Sequence, residues 1–242
     1  MKSCYLTIDD SPSIHTGDMV NFLAKRDIPA LLFVRGDLVA QNPAPIVNAI
    51  QHGFYIGNHS YGHRPYGEMS YDECIADIKS CEDEIEKCYK VAGVSRPGKY
   101  FRFPYLDRGN GDRVERHFDS VANVDINDDE KITALQNYLK NMGFHQPFKK
   151  CAHPLYDNPS IKAAADCLMT FTSYDWMLTT RHIGKWPFHS IDDLKKRIDQ
   201  DHNLQNSEGN ILIFHDQSET FETFQSLIDH MIERDYTFLS FP

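Results

Sequence analysis

The chain is 242 residues long, 41% hydrophobic and 25% charged, with a formal net charge of −10 when histidine is neutral. That length suits one large α/β barrel or two small domains, and the composition supplies an ordinary globular core. The acidic balance, without a Lys/Arg cluster interleaved with aromatics, argues against nucleic-acid binding, and no segment approaches the length of a membrane span.

Residues 4–8, Cys-Tyr-Leu-Thr-Ile, predict a buried strand close behind Met1. That leaves no room for a signal peptide, so a cytoplasmic location is expected unless a leader has been removed from a secreted or periplasmic protein. The strand runs into Asp9, Asp10, Ser11 and Pro12. Adjacent buried carboxylates disfavour each other's ionised form, and burial adds a desolvation cost. Either the pair opens a turn, for which Asp, Ser and Pro are suited, or a cation offsets the charge.

A helix is predicted over 16–26, a strand over 30–34, and a helix over 43–52 led by prolines whose missing N–H does no harm there. A strand at 53–57 leads into Asn58-His59-Ser60-Tyr61-Gly62-His63. The helix predicted over 70–91 opens on Ser70 with Glu73 three places on, a capping-box pattern. Its Cys74, Ile78, Cys81, Ile85 and Cys88 form one apolar stripe. With that stripe and no Cys-x-x-Cys pair, the six cysteines (Cys4, Cys151 and Cys167 are the others) read as buried free thiols, not as disulfides or a zinc site.

A strand at 99–103 ends on Arg102-Phe103-Pro104-Tyr105. Helices are predicted at 131–142 and 158–166, and a strand at 168–173 runs into Tyr174-Asp175-Trp176. A helix at 190–204 precedes a strand at 210–214 that runs into His215-Asp216, and a helix at 219–234 follows. The stretches 106–130 and 143–160 break this rhythm and read as long loops. Alternating strands and helices predict parallel strands with crossover helices in a single domain, 1–242. Active sites of such folds gather at the C-terminal ends of strands, and five strand ends here carry ionisable, polar or aromatic groups.

His59 and His63 share a face if their segment makes a helical turn, which gives half of a tetrahedral metal site. His-x-x-x-His alone reads as two surface or core histidines. A carboxylate from Asp9 or Asp10 completes a two-histidine, one-carboxylate set with an open position, the pattern of catalytic zinc or non-haem iron. The other groups have plainer readings too. Arg102 reads as a surface ion pair, His215 as a strand-end histidine satisfied by Asp216, and Asp175 and Trp176 as a loop carboxylate and a packing aromatic.

Taken together, the motifs resemble those of the NodB-homology polysaccharide deacetylases, carbohydrate esterase family 4. Thr7-Ile8-Asp9-Asp10-Ser11-Pro12 resembles the family's Thr-Phe-Asp-Asp-Gly-Pro, and His59-Ser60-Tyr61-Gly62-His63 its His-Ser/Thr-x-x-His. Phe101-Arg102-Phe103-Pro104-Tyr105 resembles Arg-Pro-Pro-Tyr, Tyr174-Asp175-Trp176 part of Asp-x-x-Asp-Trp, and Ile211–Asp216 the Leu-x-Leu-His-Asp motif. They occur in the family's order and span nearly the whole chain. Ser11 stands where the family usually has glycine, and Phe103 replaces the first proline of the third motif.

The resemblance implies an α/β fold, a distorted and incomplete TIM-like (β/α)-barrel of seven or eight strands, with loop insertions near 106–130 and 143–168. It implies one divalent ion, most often zinc, with cobalt, nickel or iron as other choices, held by Asp10, His59 and His63. Asp9 would be the general base, oriented and counterbalanced by Arg102, and the Tyr105 N–H would bind the oxyanion. His215, kept charged by Asp175, would protonate the leaving amine, and Trp176 with Tyr105 would contact an N-acetylated carbohydrate. The implied activity is removal of N-acetyl groups from peptidoglycan, a chitin-like oligosaccharide or a precursor. The alternatives are a ring-opening hydrolase of cyclic amides on the same fold and a catalytically inactive carbohydrate-binding barrel. No nucleic-acid or membrane partner is implied, and the oligomeric state is open.

Overall fold

The computed structural model describes residues 2–112 and 129–241. The first strand, β1 (Ser3–Ser11), is buried along its whole length. Then come α1 (Thr16–Ala24), β2 (Ala30–Val34), α2 (Gly36–Gln41), α3 (Ala44–Gln51), β3 (Tyr55–Asn58) and α4 (Tyr71–Ala92). The second half carries α5 (Glu130–Asn141), the single turn α6 (Pro159–Lys162), β4 (Phe171–Thr172), α7 (Ile191–Gln200) and α8 (His202–Asn206). It ends with β5 (Asn210–His215), α9 (Phe221–Glu233) and β6 (Thr237–Phe238). Every pairing is parallel; the order is β3-β2-β1-β5-β4, and β6 pairs with the start of β1. Parallel strands joined through helices are the α/β arrangement that the alternation predicts.

The two-residue period of β1 sorts its side chains. Cys4, Leu6 and Ile8 pack into a core with residues of α1, α3, α4 and α9, while Tyr5 packs on the other face with Leu31, Phe33, Tyr100 and Ile211. Thr7 and Asp9 therefore lie on Tyr5's face. The parallel register also sets Asp9 beside His215 of β5. The cysteine stripe of α4 is buried as predicted, and all six thiols are free. Ser70 caps α4 with the reciprocal Glu73 bond, and Gly93 closes the helix at φ 69°, a left-handed position that suits glycine.

Five elements differ from the sequence-based expectation, three of them because backbone groups find partners elsewhere in the chain. Residues 99–103 take a strand's place beside β3 but form only isolated bridges, Asn58 with Phe101 and Lys99 with Phe144. The bonds of that segment are shared among Asn58, His145 and Cys167, so no continuous ladder forms. β4 is two residues long because the N–H of Ile211 donates to Thr170 Oγ1 (2.7 Å) and Tyr174 turns left-handed (φ 55°). α6 stops after one turn, since the Ala165 N–H goes to Gln136 (2.8 Å) and the Cys167 N–H to the Phe101 carbonyl (2.6 Å). The predicted helix 190–204 is two helices, with Asp201 capping the second through the Leu204 N–H (2.8 Å). Finally, His59–His63 is a loop, not a helical turn, with Ser60 at φ 70° and His63 at φ 51°.

Of the predicted loop 106–130, residues 113–128 lie outside the described residues. The described residues contain six strands, with the bridged segment 99–103 beside them. α2 and β6 had no counterpart in the sequence reading. α2 is anchored by tertiary bonds from the Gly36 and Asp37 N–H groups to the Ser60 and Tyr61 carbonyls (both 3.0 Å).

Candidate active site

The C-terminal end of β1 delivers both carboxylates. Asp10 sits at φ 70°, which breaks the strand's alternation and lets neighbouring side chains face the same way. As a result, His59 Nε2 lies 3.7 Å from Asp9 Oδ2 and 3.8 Å from Asp10 Oδ1. His63 Nε2 lies 3.1 Å from Asp10 Oδ1, and ligand atoms of Asp10, His59 and His63 lie within 4.8 Å of one another. Ser11, the residue that replaces the family glycine, is not at positive φ, so that change costs no backbone strain.

The donor set suits a divalent cation. His59 Nδ1 is 2.9 Å from the Arg102 carbonyl, which only accepts, so Nδ1 carries the hydrogen and Nε2 is left bare. Burial pushes His59 down to about 4, against the pull of Asp9, so the imidazole is neutral at pH 7. A bare nitrogen facing two carboxylates calls for a cation between them. Asp10 Oδ1 is buried and accepts no well-aligned hydrogen bond, while Oδ2 takes one from Gln217 Nε2 at 2.8 Å. Burial opposes ionisation of Asp10, yet His63, His215 and His59 outweigh it and hold the carboxyl well below the usual range. One carboxylate and two imidazoles with room for further ligands is a zinc- or iron-type set.

Arg102 binds the other carboxylate. It is fully buried; its Nη1 donates to Asp9 Oδ1 and to Thr7 Oγ1, both at 2.7 Å, and its Nε donates to the Cys167 carbonyl at 3.0 Å. Its guanidinium rests 4.3 Å above the Phe33 ring. Arg102 is therefore a buried partner of Asp9 and not a surface ion pair.

Across the sheet, His215 Nδ1 meets Asp175 Oδ1 at 2.7 Å, and the His215 N–H donates to Asp175 Oδ2 at 2.8 Å. Burial would lower the pKa of His215, but the Asp175 carboxylate overrides it and raises it to about 9. Asp216 takes no part in this pair. It accepts from Ser13 Oγ and Thr16 Oγ1 (both 2.5 Å) and fixes the segment after β1.

Tyr105 is left-handed (φ 57°), and its exposed ring packs on His63 with centroids 4.7 Å apart. Trp176 makes edge contacts with His182 (5.0 Å) and Trp186 (5.3 Å). A groove of ≈ 590 Å³ opens beside Asp10, bordered by Arg35, Leu38, His182 and Gln217; Trp176 stands behind His182, outside its lining. His153 is buried and caps its own turn through the Leu155 N–H (3.1 Å). The structure thus brings Asp9, Asp10, His59, His63, Arg102, His215 and Asp175 into one connected cluster. Gln217 and the residues that hold the His63 loop were not legible in the sequence, because a glutamine two places past a histidine carries no spacing signal.

A family model described as polysaccharide deacetylase matches residues 1–116. The peptidoglycan-N-acetylmuramic acid deacetylase PdaC of Bacillus subtilis is 32% identical over 184 residues, 74% of this chain and 38% of that protein. The chain thus spans well under half of that relative's length. Among solved structures, the catalytic domain of a peptidoglycan N-acetylglucosamine deacetylase from Eubacterium rectale superposes with TM-score 0.66 at 19% identity, covering all of this chain and 89% of the other. A carbohydrate esterase family 4 pseudoenzyme from Bacillus anthracis superposes with TM-score 0.61 at 18% identity, over 98% of this chain and 63% of the other. These likenesses extend the distorted-barrel fold over nearly the whole chain. With the motifs, the metal-ligand cluster and the matching family model in hand, the chain belongs to the polysaccharide deacetylase family.

Proposed function

We propose that this chain is a metal-dependent hydrolase that removes N-acetyl groups from an N-acetylated sugar or glycan. The observation that carries the reading is the meeting of three groups: the Asp10/His59/His63 cluster, the Asp9–Arg102 pair and the His215–Asp175 pair. An inactive barrel would need none of the last two. A divalent cation bound by Asp10, His59 and His63, with zinc the first choice, supplies a Lewis acid for the acetamide carbonyl and makes a nearby water more acidic.

Asp9 takes the proton of the attacking water. Arg102 pairs with Asp9 and aims it, since Nη1 binds Oδ1 and leaves Oδ2 toward His59. The Tyr105 N–H donates to the developing oxyanion, a charge it meets only as the carbonyl is attacked. His215 then gives its proton to the leaving amine, and Asp175 holds the imidazole protonated and oriented until it does. Tyr105, exposed beside His63, supplies aromatic surface for a sugar ring, whereas Trp176 acts only through the His182 it packs against.

The test is acetate release from a panel running from N-acetylglucosamine and nucleotide sugars through chitooligosaccharides to peptidoglycan, with zinc and with chelator. Chelator-sensitive acetate release supports the reading and ranks the substrates. No acetate from any member, with one ion bound per chain, contradicts it and turns the search to ring-opening of cyclic amides.

A further inference from the structure

The loop between the two histidine ligands is held in an unusual way. Its four successive N–H groups, at residues 60–63, all donate to side-chain oxygens: Ser60 to Asn58 Oδ1 (2.8 Å), Tyr61 to Asp77 Oδ2 (2.9 Å), Gly62 to Asp77 Oδ1 (2.9 Å) and His63 to Ser60 Oγ (2.8 Å). Two loop residues, Ser60 and His63, stand at positive φ without being glycine. Such backbone costs on the order of 1 kcal/mol per residue and persists only where the surroundings hold it.

Asn58 and Ser60 are neighbours in sequence and travel with the loop. Asp77 is the fixed point: it sits on the long helix α4 and receives a third donor, the Tyr66 hydroxyl (3.0 Å), from the segment that leaves the loop. On the same helix, the Ile78 carbonyl and Glu82 Oε1 accept from Asn58 Nδ2 (3.0 and 3.1 Å). His59 has its own anchors, since its N–H donates to the Val34 carbonyl (2.9 Å) and its ring to the Arg102 carbonyl. Among the described residues, no backbone carbonyl anchors the His63 ring in the same way, and its Nε2 must still come within 3.1 Å of Asp10.

We infer that Asp77 is the positioning residue of His63: by clamping Tyr61, Gly62 and Tyr66 to α4 it holds the second imidazole in place and so sets the affinity of the site for its cation. This rests on the metal-site reading above. Asp77 touches neither substrate nor ion. Its carboxylate accepts three bonds, which an asparagine cannot reproduce, because its NH₂ would face a backbone N–H.

The experiment compares wild type, Asp77→Asn, Tyr66→Phe and His63→Ala, each stripped with chelator. Zinc affinity is read by chelator competition, ligand geometry by the visible spectrum of bound cobalt, and folding by circular dichroism and melting of the metal-free protein. Asp77→Asn is expected to stay folded, to bind zinc about 10- to 100-fold more weakly, and to show cobalt bands displaced from wild type toward His63→Ala. Tyr66→Phe keeps the carboxylate and two of its donors, so it shows the same displacement to a smaller degree. Wild-type affinity and an unchanged cobalt spectrum in Asp77→Asn overturn the inference; if that variant does not fold, wild-type behaviour of Tyr66→Phe overturns it. Equal, negligible binding by wild type and His63→Ala instead removes the metal site itself.

Discussion

At the scale of single residues, the sharpest consequence concerns the His215–Asp175 pair. A histidine whose pKa is raised from 6.5 to about 9 is charged at neutral pH and loses its proton as pH climbs through that value. A proton donor works only while protonated, so kcat is predicted to fall on the alkaline side, with a midpoint at or below about 9. A cation at Asp10 repels the imidazolium and moves the limb downward. Asp175→Asn removes the charge that raises the pKa, and the limb is predicted to shift to lower pH still. A kcat–pH profile checks this; an alkaline limb that stays in place in Asp175→Asn contradicts the assignment. The same sign applies to stability: the pair's contribution is complete below the unfolded pKa and is lost as pH rises through the folded one.

Much of this residue-level picture is legible in the sequence, because each motif follows an apolar run and the fold gathers strand ends. What the sequence does not display is how the residues are held. The two histidines meet through left-handed backbone at Ser60 and His63, and no helical periodicity announces that. Asp10 likewise reaches the cluster by a positive φ at the end of a strand.

At the scale of elements, the readable ones are those whose bonds are internal. α4 is the example: Ser70 and Glu73 cap each other, the cysteine stripe faces the core, and its predicted and observed spans nearly coincide. Ser70→Ala is predicted to cost about 1 kcal/mol in denaturant unfolding, the usual worth of an N-cap, while leaving acetate release unchanged. A larger loss that comes with reduced zinc affinity would mean that the first turn of α4 also holds the His63 loop. The elements that escaped the sequence are those tied from outside. Residues 99–103, β4 and α6 are short because Phe101, Ile211 and Ala165 give their backbone groups to distant partners. α2 is six residues long, too short to show a period, and hangs on the carbonyls of the histidine loop.

At the scale of the molecule, the register of one strand organises the site. β1 lies between β2 and β5, so its last residues meet the ends of both halves of the sheet. That places Asp9 beside His215 and within reach of Arg102, three residues far apart in the chain. Because the ligands come from β1 and from the loop after β3, an ion bound there ties separate parts of the fold together. Zinc at about 100 times its dissociation constant is predicted to add about 2.7 kcal/mol. For a chain of this size that corresponds to a melting temperature about 5–10 °C above the chelated protein. The chelated and zinc-loaded protein would melt at the same temperature only if no ion binds the native state.

In the proposed mechanism Asp9 and Asp10, adjacent in sequence, divide the work: one holds the cation and the other moves the proton. Ion content and acetate release measured together in Asp9→Asn test it most directly. The expected result is one ion per chain, as in wild type, with acetate release lowered by about 10²–10⁴-fold, the usual worth of a general base. Loss of the ion would show that Asp9 is a ligand and the roles are reversed, and acetate release at the wild-type rate would show that neither carboxylate pairing nor proton transfer at Asp9 matters to the reaction.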